Sequence, residues 1–412
     1  MHFSTRTNFG SEADPLTEAL ALRRRAGLPV LDLTESNPTR CGLGLDRELL
    51  LPPLSGDANC TYRAEPFGPS AAREAIVSAY YGERGVTVAP EQMVLTASTS
   101  EAYSFLFRLF CEPGDHVMVP QPSYPLFDLL ARFCDVETRL YPLRFHHRWQ
   151  TDLHALEAAI TPRTRAIVVV HPNNPTGHFA AAEERQELDR LAARHGLPLL
   201  VDEVFLDYPV ETGSGAPSAR SFAAMPHREA LTFVMSGLSK VLALPQMKLA
   251  WTLVLGLGAQ QREALHRLEY VADTYLSVAV PGANAAASWL RHAGQLHAQV
   301  LARVRTNLAV LDRELAQWPL ASRLPVEGGW SVLLRLPALE PDGEFALRLL
   351  QERGVLVHPG SFFGLPGRGW VVVSLLLPEG DLQRGLQALF KGVRDTAEEV
   401  HSQVHRNLSS NS

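Results

Sequence analysis

The 412-residue sequence predicts an α/β protein, with one large domain built on a mostly parallel sheet covered by helices and a smaller α+β domain beside it. Three observations carry that prediction. The chain exceeds the roughly 250 residues at which a single hydrophobic core stops growing. Its middle alternates short apolar runs with longer amphipathic ones, the pattern of parallel strands joined through crossover helices. Beyond about residue 281 that alternation gives way to one long amphipathic stretch and then to mixed elements.

In chain order, Met93 to Thr96, His116 to Val119, Ala166 to Val170, Leu197 to Val201, Leu231 to Met235 and Ala250 to Val254 read as short buried strands. Between them, SEAYSFLFRLF from Ser100, YPLFDLLARF from Tyr124 and AAEERQELDRLAARHG from Ala181 read as helices, the last closed by Gly196. Ala283 to Trp318 follows as the long amphipathic pattern. After it come strand-like Ser331 to Leu336, helix-like Glu344 to Arg353 and strand-like Val371 to Leu376. The expected division is residues 50–285 for the large domain and residues 1–49 with 286–412 for a small domain built from both termini. The polar end, NLSSNS, is expected to fray.

The composition narrows the function. With 46% hydrophobic and 20% charged residues the chain is an ordinary globular protein, and its net charge of -6 argues against a general nucleic-acid binder or a basic membrane-surface protein. MHFSTRTNFG lacks the apolar stretch of a signal peptide, and no window approaches the 18 apolar residues of a membrane span, so a cytoplasmic location is expected. Cys41, Cys60, Cys111 and Cys134 have no CxxC spacing, and the histidines have no HExxH spacing, which leaves no metal site in view. There is no GxSxG, and GLGLD and LGLGAQ lack the full GxGxxG of a dinucleotide loop. A small-molecule partner remains.

Of thirty-eight basic residues only Lys240, Lys248 and Lys391 are lysines. A chain that uses Arg for generic positive charge but sets two lysines eight residues apart points to a need for an amine there. Lys240, in SGLSKVLALPQMKLAW, directly follows a predicted strand through a small-residue turn, which sets the amine at the carboxyl edge of the sheet, where ligands of open α/β sheets bind.

Gly237, Leu238, Ser239, Lys240, Ala243 and Leu244 together resemble the pyridoxal-phosphate attachment segment of class I/II aminotransferases, the fold-type I group. The resemblance runs from about Leu31 to Leu377. It implies that Lys240 forms the internal aldimine and later moves a proton between substrate and cofactor, chemistry open to an amine and closed to a guanidinium. HPNNPTG is locally a turn, and the resemblance places its Asn174 on the ring oxygen O3′. It pairs Asp202, in LLVDEVFLDY, with the pyridinium nitrogen, and stacks Tyr124, in QPSYPLF, on the ring. LTASTSEAY reads locally as a capping box around Ser98 and Glu101; the resemblance sets Thr99 and Ser100 on the phosphate. Tyr62 matches a residue that reaches the phosphate of a neighbouring subunit, which implies a homodimer. Asn37, in the ESNP loop, is implied to approach substrate.

Three departures matter. Phe205 stands where the family commonly has Tyr, so the imine is expected to keep its proton to higher pH. Lys248 replaces an Arg that grips the phosphate as a fork. Val372 stands where an Arg normally binds the substrate α-carboxylate; Arg368, Arg40 and Arg63 are candidates to replace it. No Lys or Arg occurs between Arg267 and Arg291, where dicarboxylate-specific relatives read the side chain. The implied activity is transfer of an amino group from an amino acid or amine, not dicarboxylic, to a 2-oxo acid. A lyase, decarboxylase or oxidase on the same scaffold is the alternative, because substrate anchoring selects the bond that breaks.

Overall fold

The computed structural model describes residues 1–8, 14–211 and 220–409, with side chains as far as residue 398. The last three residues of the NLSSNS end lie outside the described residues.

Eight strands form the main sheet, in the order Met93–Thr96, Ala250–Leu255, Thr232–Gly237, Leu199–Asp202, Thr164–Val170, His116–Gln121, Glu137–His146, Arg148–Thr151. Ala250–Leu255 is antiparallel to both neighbours and Arg148–Thr151 is antiparallel at one edge; the other pairings are parallel. The central strands are buried along their whole length because helices cover both faces. Thr99–Phe110, Leu126–Phe133 and Ala182–Arg194 are the helices read from the sequence, and Gly196 closes the last with φ +64°. The α/β fold class with a mostly parallel sheet is therefore borne out.

Beyond several helices not read from the sequence, among them Gly258–Thr274 and Glu379–Ser409, two further differences stand out. Glu137–His146 is a ten-residue strand that the sequence hides, since only Tyr141 and Leu143 of its side chains are buried and no apolar run marks it. The long amphipathic pattern is two helices, Val280–Leu290 and Ala293–Leu315, broken at Arg291 and His292.

A second core gathers around a four-stranded sheet of Ser322–Arg323, Ser331–Arg335, Trp370–Ser374 and His358–Pro359. Asp342–Arg353, Ala293–Leu315 and Glu379–Ser409 pack against it. The N-terminal segment joins this core. Leu31–Asp32 pairs in parallel with Val355–Leu356. The next residue, fully buried Leu33, donates its N–H to Leu356 O at 2.9 Å and accepts from Ser374 N at 2.8 Å. Among the described residues no helix is long and apolar enough to cross a membrane, and no group of three or more His, Cys, Asp or Glu could hold a metal ion.

Candidate active site

The parallel strands all deliver their C-terminal ends to one side, and the loops that follow them build a cavity of about 300 Å³. Thr99 and Ser100 follow Met93–Thr96, Tyr124 follows His116–Gln121, Asn174 follows Thr164–Val170, Asp202 ends its strand, and Lys240 follows Thr232–Gly237. All six line that cavity. This is the edge at which open α/β sheets bind ligands, and the reason residues 140 positions apart in sequence meet.

Each loop is shaped by its own chemistry. Ser98 caps the helix Thr99–Phe110 by accepting from Glu101 N at 3.2 Å, while the Glu101 carboxylate accepts from Ala97 N at 2.6 Å. The two bonds leave the first-turn amides of Thr99 and Ser100 at the positive end of a three-turn helix, a ready site for an anion. In His171–Gly177 every residue is buried except Asn174. Asn173 Oδ1 accepts from Thr176 Oγ1 at 2.9 Å, Gly177 N donates to Asn173 O at 2.7 Å, and Asn174 is left facing the cavity.

Asp202 is 9% exposed. Its oxygens accept from Val204 N at 3.1 Å and from the Tyr103 hydroxyl at 3.3 Å. Burial pushes its carboxyl up to about 6, against those two donors and the Lys240 charge, which hold it down. The opposite occurs at Lys240: loss of water lowers the ammonium to about 8, although the Asp202 charge works to raise it. Its Nζ lies 4.9 Å from the Trp330 ring centre and 5.5 Å from that of Phe205. The backbone beneath the amine is pinned, because the Tyr208 hydroxyl donates to Lys240 O and His297 Nε2–H donates to Val241 O at 2.7 Å. An amine that gives up its proton near neutral pH can act as nucleophile and as proton carrier, and the buried carboxylate beside it can stabilise a neighbouring positive charge.

Three sequence-read residues stand elsewhere. Lys248 is exposed, in left-handed backbone at φ +50°, and is not on the cavity wall. Tyr62 is 66% exposed on a single chain. Asn37 turns its Oδ1 back onto Thr39, accepting from its N–H and hydroxyl, while Thr34 and Ser36 of the same segment line the cavity instead. Val372 is 2% exposed and forms part of the wall, and none of Arg40, Arg63 and Arg368 lines it; Arg40 pairs with Glu35 at 3.0 Å.

Sequence reading missed Tyr103, Trp330 and His358 on the same wall. Tyr103 was within reach, since it lies one helical turn from Thr99 and so shares its face. Trp330 and His358 arrive from the second core and carry no local signal.

Against known proteins, residues 62–389 match the family Aminotransferase class I and II. Human tyrosine aminotransferase is 26% identical over 326 residues, which cover 77% of this chain and 69% of that protein. The glutamate-pyruvate aminotransferase AlaA of Escherichia coli is 30% identical over 275 residues, 66% of this chain and 65% of that protein. Among solved structures, the alanine aminotransferase of Pyrococcus furiosus superposes with a TM-score of 0.84 at 23% identity, covering 96% of this chain and all of the other, a likeness of fold. With the family match spanning most of its length, the chain belongs to the class I and II aminotransferases and is a transaminase.

Proposed function

We propose that this chain is a pyridoxal-phosphate-dependent aminotransferase that takes an amino group from an amino acid or amine that is not dicarboxylic and gives it to a 2-oxo acid. The observation that carries the reading is a half-buried amine and a buried carboxylate on one cavity wall, each pushed toward its neutral form by lost water. Uncompensated burial of both groups is costly, and a ligand that meets both offsets that cost.

The residues present fit pyridoxal phosphate. Thr99 and Ser100 at the helix start suit its phosphate, Tyr124 suits a flat ring, Asn174 supplies a donor from an otherwise buried loop, and Asp202 suits a protonated ring nitrogen. When bound, the cofactor supplies an electron sink for the bond broken at the substrate's α-carbon. The chain's own part is to hold and to move protons. Lys240, on a backbone pinned by Tyr208 and His297, would be the group that takes up and returns the proton at the substrate's α-carbon. Asp202 would hold the proton on the ring nitrogen. Trp330 and Phe205 exclude water around the amine.

Neither Lys248 nor Tyr62 reaches the cavity of a single chain, and their exposure suits a homodimer in which Tyr62 meets the partner's phosphate site.

The test is to add pyridoxal phosphate to purified cofactor-free protein, reduce with borohydride, and map the modified peptide. The reading expects label on Lys240, visible absorbance that fades with an amino donor, and recovery on adding a 2-oxo acid. Label elsewhere, or product release without that fading and recovery, overturns it; the second outcome favours a lyase.

A further inference from the structure

Val372 and His358 are paired across neighbouring antiparallel strands, so their side chains emerge on the same face, and both line the cavity. Among the described residues no arginine lines that wall and Lys240 is its only lysine, so His358 is the one other described lining side chain that can carry positive charge. Its ring is held by stacking rather than by hydrogen bonds. Phe362 lies parallel to it at 4.8 Å with an interplanar angle of 7°, and Phe363 meets it edge-on at 5.6 Å. Among the described residues no hydrogen bond engages either ring nitrogen, which leaves a fixed plane with an unused donor. Burial lowers its pKa below the ordinary imidazole value and Asp32, from the strand Leu31–Asp32, opposes that only in part, so near pH 7 the ring offers a neutral N–H donor.

We infer that His358 is the specificity-determining residue that receives the carboxylate of the amino donor, so that the preferred donor is an amino acid with a single carboxylate and an apolar side chain. The inference rests on the transaminase reading of the cavity. An amino donor must set its nitrogen at Lys240, and its carboxylate then needs a donor elsewhere in the same cavity; beside Val372, His358 offers one. Of the other lining residues, Leu126, Phe127, Leu130 and Phe363 are apolar and Thr34, Ser36, Ser331 and Ser374 bring only neutral hydroxyls, so a second carboxylate would meet no second cation.

Two measurements on the pyridoxal-phosphate-loaded protein test it. The first is steady-state kinetics of His358→Ala and His358→Gln with phenylalanine and with phenethylamine, which differ by the carboxylate. A hydrogen bond to a charged group sets the expected scale at ~10–100-fold. KM for phenylalanine should rise by that factor in the alanine variant with kcat little changed, recover partly in the glutamine variant, and stay unchanged for phenethylamine. The second follows the ring ¹⁵N–¹H signals of His358 in the wild-type protein, assigned by the variants, during addition of 3-phenylpropionate or its amide. Neither compound has an amino group to transfer. A shift with the carboxylate and none with the amide supports the inference even if no donor is ever converted, in which case the transaminase reading alone fails. Equal responses to both compounds, or an unchanged preference for phenylalanine over phenethylamine in His358→Ala, overturn it.

Discussion

At Lys240 and Asp202, two groups that would ordinarily be fully charged at pH 7 have been moved toward neutrality by the same cause, and each moderates the other's shift. The amine near 8 is largely protonated at pH 6 and largely free at pH 9, so borohydride-trapped modification by pyridoxal phosphate should speed up through that window. Asp202→Asn removes the charge that holds the proton on Lys240, and the midpoint should move down; an unmoved midpoint would show that the two groups are not coupled. Stability gives the opposite sign. Asp202 titrates near 6 when folded and near 3.8 when unfolded, so the folded state holds the extra proton, and its contribution is lost as pH rises from about 4 to 6. A shift of that size is worth about 3 kcal/mol. The cofactor-free Asp202→Asn protein should therefore melt higher than wild type at pH 7 while losing transfer activity, and chemical denaturation at pH 4 and 7 checks the slope. Phe205 sets a second residue-scale outcome. A phenol introduced by Phe205→Tyr near the amine would stabilise negative charge on the ring oxygen, and the pH at which the cofactor's visible absorbance changes should fall; a rise would contradict the assignment of that position.

At the scale of elements, the loop His171–Gly177 shows how a turn legible in sequence acquires a function through a contact that is not. Gly177 has φ +71°, and a Cβ there would lie 2.6 Å from Gly328 O, while Gly328 N donates to Gly177 O at 2.7 Å. Gly328 leads through Gly329 into Trp330, so one close backbone approach fixes both Asn174 and the aromatic wall over Lys240. Gly177→Ala should cost about 1–3 kcal/mol from the left-handed backbone and the displaced carbonyl. It should also weaken pyridoxal phosphate binding severalfold; thermal melting with and without added cofactor separates the two effects. The same contrast explains what could be read beforehand. Lys240, Asp202, Asn174, Tyr124, Thr99 and Ser100 each follow a buried apolar run, and a parallel sheet brings such ends together whatever their spacing. His358 and Trp330 were illegible because their place depends on how a second sheet docks, and Glu137–His146 because a strand with most of its side chains exposed leaves no apolar run to find.

For the whole molecule, the cavity is closed by a piece of chain that begins far from it in sequence. Leu33 bridges Leu356 and Ser374 through its backbone and sinks its side chain against Gly385, where a Cβ would approach Leu33 Cδ2 to 2.4 Å. The two residues after it in the wall, Thr34 and Ser36, therefore owe their position to a buried anchor rather than to their own bonds with the sheet. Asp32, which bears on His358, lies on the other side of the same anchor. Leu33→Ala leaves a cavity in the second core and should cost about 2–5 kcal/mol. If the segment serves only packing, the loss stops there. If it also seats substrate, KM for the amino donor should rise while kcat and the visible absorbance of the loaded protein stay close to wild type, because Lys240 and Asp202 are held by strands of the main sheet. Denaturant titration and donor kinetics on the same preparation decide the matter, and a stability loss with KM unmoved would remove the N-terminal segment from the active site.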